Sequence, residues 1–199
     1  MRTKEKILET AKSKKVFRVS DLDVKPETAR KELLRLVRAD VLQRVGYGLY
    51  SLAEADFTET QSLLEVAAKV PTGVLCLLSA LSFHDLTTQN PFEVWIAIER
   101  NTRYPKIENM PLRVFRFARR VYQAGIEEHK IEGVEVKVYS PAKTVADCFF
   151  YQKTVGLDVA IEALRDTWRK RKATMDELYH FAEVRNIKSV MLPYLNTLT

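Results

Sequence analysis

Glu135-Val136-Lys137 sets an acid and a lysine two residues apart, and on a β-strand that spacing turns both side chains to one face. Metal-dependent nucleases use such a pair in a single cleft, with an upstream acid such as Asp85 or Glu93 as a further ligand. A half-exposed strand shows the same alternation when its acid and lysine simply face solvent. The other reactive side chains do not strengthen the first reading. His84, His129 and His180 are widely separated and lack metal-ligand spacing. His84-Asp85 could act as a pair, but a histidine at a helix end also serves the last carbonyls. Cys76 and Cys148 sit in apolar stretches, as core residues do, and form no disulfide framework. No glycine-rich phosphate loop and no G-x-S-x-G occurs. The residues therefore assign no catalytic residue, no metal and no cofactor.

What the chain does concentrate is positive charge. Its whole net charge of +6 falls in the first 52 residues, where thirteen Lys and Arg face seven acids, while the remaining 147 residues balance at nineteen of each. Such an asymmetry points to a polyanion-binding head on a body with another task. The elements that would present this charge can be read in order. Residues 2–13 place Ile7, Leu8 and Ala11 on one helical face. Phe17 and Val19 alternate about Arg18 like a short strand, and Ser20 is suited to cap a short helix. Lys25-Pro26-Glu27-Thr28 opens another helix, since proline favours the first helical position. Ala29, Leu33, Leu36 and Val37 then make its buried stripe, leaving Thr28, Lys31 and Arg35, flanked by Arg38, opposite. Leu42/Arg44 and Leu49/Ser51 read as strands about Gly46-Tyr47-Gly48, a glycine-bearing hairpin turn.

Three helices and a short hairpin make a winged helix-turn-helix, whose third helix enters the major groove of double-stranded DNA while the wing touches backbone or minor groove. On this reading Thr28, Lys31 and Arg35 reach bases or phosphates. Lys25, Arg30, Arg38, Arg44 and Tyr47 position the module. An amphipathic helix with a merely solvated basic face is the plain alternative.

The body, residues 53–199 after a winged helix at 1–52, reads as α+β with a small mixed or antiparallel sheet and a helical C-terminus. A helix is expected over 58–69 and a second, apolar all round, over Gly73–Phe83. Strands follow at Phe92–Ile98 and Leu112–Phe117, then a hairpin of Glu127–Ile131 and Val134–Tyr139 about Glu132-Gly133. Helices are expected from Pro141 to about Gln152, over Leu157–Arg171, from a Thr174/Glu177 capping box to Asn186, and over Lys188–Leu198 with a break at Pro193. The N-terminus has no apolar signal-peptide core, and Gly73–Phe83 is too short for the roughly 20 helical residues that span a bilayer. A cytoplasmic protein with no membrane partner is expected.

The stretch Glu27–Leu52, ending in L-Q-R-V-G-Y-G-L-Y-S-L, resembles the AbiEi family, antitoxins of type IV abortive-infection toxin–antitoxin systems. Leu78–Thr87 (L-S-A-L-S-F-H-D-L-T), F-E-V-W-I-A-I, Gly133–Asp147 (G-V-E-V-K-V-Y-S-P-A-K-T-V-A-D) and Ala160–Arg165 extend the resemblance over most of residues 15–170. It implies a repressor that binds repeats in its own promoter. It further implies a nucleotidyltransferase-like toxin, counteracted without a stable complex. Where many such modules carry glycine after the recognition helix this chain has Ala39-Asp40, and aspartate tolerates the left-handed turn required there. A ligand-sensing winged-helix regulator is the main alternative, and a metal-dependent nuclease a more distant one.

Overall fold

The computed structural model describes residues 3–14, 17–46, 49–53, 59–89, 93–105 and 111–198. Among these, helices and two sheets make a mixed α+β protein. Contacts group residues 1–71 with 129–136 in one compact unit, and 72–128 with 137–199 in a second.

In the first unit, α1 (Thr3–Ser13) leads to β1 (Phe17–Arg18), a 3-10 turn (Val19–Asp21), α2 (Pro26–Arg38), β2 (Leu42–Gly46), β3 (Leu49–Leu52) and α3 (Glu59–Lys69). The sheet runs in the order β1–β3–β2, antiparallel throughout, with Phe17 opposite Tyr50 and Leu42 opposite Leu52. Ile7, Ala11, Phe17, Leu22, Ala29, Leu33, Leu36, Leu42 and Tyr50 form its core. The short helix expected after Ser20 is instead a single 3-10 turn with Ser20 inside it. Asp21 causes this: its carboxylate reaches back to accept from the Arg18 amide at 2.8 Å, closing the turn within three residues.

The second unit contains β4 (Val74–Leu75), α4 (Leu77–Phe83), β5 (Val94–Glu99), β6 (Leu112–Phe117), α5 (Arg119–Gln123), β7 (Ile126–Ile131), β8 (Val134–Tyr139), α6 (Pro141–Phe150), α7 (Gln152–Val155), α8 (Leu157–Arg169), α9 (Met175–Val184) and α10 (Lys188–Leu195), the tip of the β7–β8 hairpin excepted. The sheet order is β6–β5–β4–β8–β7, and it is mixed: β5 runs parallel to β6 and antiparallel to β4, which runs parallel to β8. The expected helix over Gly73–Phe83 is corrected here. Its first residues form the central strand β4, and the helix begins only after Cys76, whose backbone is extended and whose amide donates to the Trp95 carbonyl at 3.0 Å. An apolar run buried on every side reads alike as strand or helix, so periodicity could not separate them. The chain reverses at Leu77, an apolar residue held at φ 49, a strained conformation that surrounding packing must impose.

Helices α8 and α9 each stop two residues before their expected ends, for a shared reason. Asp40, Asp85, Arg171 and Asn186 all adopt positive φ just past a helix. At each, the following amide bonds back to a carbonyl five residues earlier, as Val41 does to Leu36 at 3.0 Å and Ile187 to Ala182 at 2.8 Å. This is the Schellman arrangement, normally served by glycine. Asp40→Gly is therefore expected to raise the unfolding free energy by about 1 kcal/mol, by relieving left-handed strain, measured by urea denaturation. The capping box at Thr174 is present as expected: the Glu177 carboxylate accepts from the Thr174 amide at 2.7 Å. Those hydrogen bonds hold the Glu177 carboxyl below its ordinary value. The stabilisation is thus full above the unfolded glutamate pKa and is lost as pH falls through the lower folded value. Glu177→Gln should cost about 1 kcal/mol at neutral pH, and the gap to wild type should close in acid below the usual carboxylate range.

Candidate nucleic-acid interface

Helix α2 owes its form to Pro26 at its start, a run of good helix formers and an apolar stripe that docks on α1 and the sheet. Ala29, Leu33 and Leu36 are buried, and this anchors which face points outward. Thr28, Arg30, Lys31, Arg35 and Arg38 are all exposed, as is Lys25 at the helix N-cap. Among the described residues, Lys25, Arg30, Lys31 and Arg38 make no ion pair. Arg35 approaches Glu32 only at 4.0 Å with its own side chain 81% exposed, a contact worth little against solvent. The Lys31, Arg35 and Arg38 charges thus lie together on one helix, held by backbone and available to an anion.

Elsewhere in the unit Lys6, Lys14 and Arg18 are each engaged within it. Lys6 pairs with Asp23 at 2.9 Å, and that lysine holds the Asp23 carboxyl below its usual value. Lys14 sits 3.4 Å from Asp21, and Arg18 donates to the Ala68 carbonyl of α3 at 3.1 Å. Arg44 lies exposed on β2, opposite Tyr50 of β3, where the pairing shifts between Arg44 and Gly46. Tyr47 falls outside the described residues. Glu27 and Leu34 are also exposed on α2, and neither carries the positive charge that marked the other residues of that face in the sequence.

The residues that a nuclease would use have the following surroundings. Glu135 is exposed, Lys137 is 3.7 Å from Glu128, and the Asp85 side chain is 88% exposed, 3.9 Å from Lys172. Among the described residues no group of three or more His, Cys, Asp or Glu could hold a metal ion. His84 is buried at the end of α4, with Nε2 2.8 Å from the Tyr139 carbonyl. Cys76 and Cys148 are buried, and desolvation pushes both thiols up, away from reactive thiolate. The described residues contain no helix long and apolar enough to cross a membrane.

The second unit holds a constellation that sequence reading missed. Lys143 and Asp147, one turn apart on α6, are fully buried, and Lys143 Nζ lies 2.6 Å from both Asp147 oxygens. Arg185, at the end of α9, donates from Nε to the same carboxylate. The Phe117 and Tyr139 rings are stacked at 5.8 Å, and Lys143 Nζ sits 4.1 Å from the Tyr139 centroid. The guanidinium of Arg185 lies 4.2 Å from the Phe117 ring and 4.4 Å from that of Phe150. Burial pushes the Lys143 pKa down, against the pull of Asp147. The Lys-x-x-x-Asp spacing in an otherwise apolar helix was the available signal. These groups are closed to substrate and act as a packed ionic core.

No family model and no curated protein matches this chain. Its fold is similar to that of the RV2827C protein from Mycobacterium tuberculosis, whose crystal structure aligns with TM-score 0.64 at 13% identity, over 96% of this chain and 76% of that one. At that identity the likeness is one of fold.

Proposed function

We propose that this protein is a sequence-specific DNA-binding repressor: a winged helix at residues 1–52 carries the DNA contacts, and the α+β remainder, 53–199, serves an antitoxin role of the AbiEi kind. The observation that carries the reading is α2, which keeps Lys31, Arg35 and Arg38 exposed on a rigid helix while its apolar stripe is buried. The element order supports it in part: a helix, a strand, a 3-10 turn in place of the expected second helix, a further helix and a hairpin follow in the succession expected of a winged helix. The concentration of the net charge in the same segment adds long-range attraction for a polyanion.

In this reading α2 enters the major groove, with Thr28, Lys31 and Arg35 reaching bases or phosphates and Lys25, Arg30 and Arg38 positioning the module on phosphates. Arg44 and Tyr47 on the wing touch the adjoining backbone. The resemblance to AbiEi antitoxins supplies the biological context: a site in the protein's own promoter, and a nucleotidyltransferase-like toxin opposed without a lasting complex, in the cytoplasm. No catalytic step is assigned to any residue. A gel-shift titration at fixed salt tests the face. Lys31→Ala or Arg35→Ala should weaken binding to the upstream DNA several-fold with the melting temperature unchanged, whereas unaltered affinity in both would remove α2 from the interface.

A further inference from the structure

The stripe of α2 directly opposite its buried side is made by Glu27, Lys31, Leu34 and Arg38, which recur at i, i+4, i+7 and i+11 and are all exposed. Two of the four are not cations. Leu34 is 54% exposed, a large apolar side chain surrounded along the helix by Arg30, Lys31, Arg35 and Arg38. Glu27 is in the first turn, and among the described residues its carboxylate makes no ion pair, although Lys31 stands at the favourable i+4 position. Phosphate cannot account for either residue: a carboxylate is repelled by it and a leucine gains nothing from it. Base edges in the major groove can use both. Cytosine presents an exocyclic amine that a carboxylate accepts from, and thymine presents a 5-methyl group that an apolar side chain packs against.

We propose, resting on the DNA-binding reading above, that Glu27 and Leu34 are the specificity-determining residues of this helix. Glu27 selects a cytosine and Leu34 a thymine, while the flanking cations supply attraction common to every sequence. Seven residues at the helical rise separate the two by about 10 Å. With α2 along the groove, the preferred cytosine and thymine lie about three base-pair steps apart. Glu27 stands at the N-terminal end, from which recognition helices commonly reach base edges. As a first-turn acid it also favours the helix dipole, but that role needs no particular base and does not alter selectivity.

The test uses the full chain, the footprinted segment of its own upstream DNA and unrelated DNA of equal length. Replacing each thymine of the segment by deoxyuridine removes only the methyl group. The wild-type protein should then bind about 3–10-fold more weakly, and Leu34→Ala should show a clearly smaller difference between the two DNAs. Glu27→Gln should bind unrelated DNA more tightly than wild type, since a repulsive charge is gone, while its preference for the cognate segment falls about tenfold. Specific binding without a uracil effect overturns the role of Leu34, an unchanged preference in Glu27→Gln overturns that of Glu27, and either leaves the DNA-binding reading standing. Equal affinity of the wild type for cognate and unrelated DNA overturns both readings together.

Discussion

Asp147→Asn is expected to lower the unfolding free energy by about 3–5 kcal/mol, which for a chain of this size lowers the melting temperature by about 6–20 °C. The carboxylate is fully buried and is shared by two cations, Lys143 at 2.6 Å and the Nε of Arg185. Without it, an ammonium and a guanidinium remain against aromatic rings, with no opposing charge to offset their desolvation. Lys143→Met should be much milder. It leaves the Arg185–Asp147 pair balanced and replaces a buried ammonium by an apolar chain of similar length, and such exchanges are often neutral. The order of the two variants is therefore diagnostic: a Lys143→Met loss as large as that of Asp147→Asn would show that the cluster acts as an indivisible network. Thermal melts followed by circular dichroism decide between these outcomes.

The second large effect concerns α2. The triple variant Lys31→Ala/Arg35→Ala/Arg38→Ala should keep its fold, because all three side chains are exposed and the buried stripe of Ala29, Leu33 and Leu36 is untouched. Its affinity for the upstream DNA should fall by about two orders of magnitude near 0.1 M salt. The slope of log affinity on log salt should become shallower by about 2.7, at about 0.9 per phosphate contact. If only the affinity falls and the slope holds, these residues do not neutralise phosphate. Arg44→Ala on the hairpin should reduce the slope by about one further unit.

How far the molecule could be read from its residues depends on whether the determinants are local. The apolar stripe of α2 repeats with the helical period, so Ala29, Leu33 and Leu36 were legible, and so was the outward face. The left-handed turn at Asp40 was legible through the AbiEi resemblance, in which many modules carry glycine there, together with the tolerance of aspartate for that conformation. The chain gave no local sign that Val74–Leu75 would be a strand between β5 and β8, because its partners Ile96, Ala97 and Val138 are distant in sequence. The Lys143–Asp147 pair is visible as an i,i+4 spacing, but the approach of Arg185 comes from 38 residues away and only folding reveals it. Glu27 and Leu34 were overlooked for a different reason. A search for cations on a helix passes over exposed residues that carry no positive charge.

Sequence specificity is the central claim, and competition binding measures it most directly. The wild-type protein, bound to labelled DNA from its own upstream region, is challenged with unlabelled copies of that segment and with unrelated duplex of equal length at physiological salt. The cognate segment is expected to compete at least about a thousandfold better, within the range of specific DNA-binding proteins, with protection confined to a discrete site. A ratio near one would contradict the repressor reading, leaving the exposed charges of α2 as a solvated helix face.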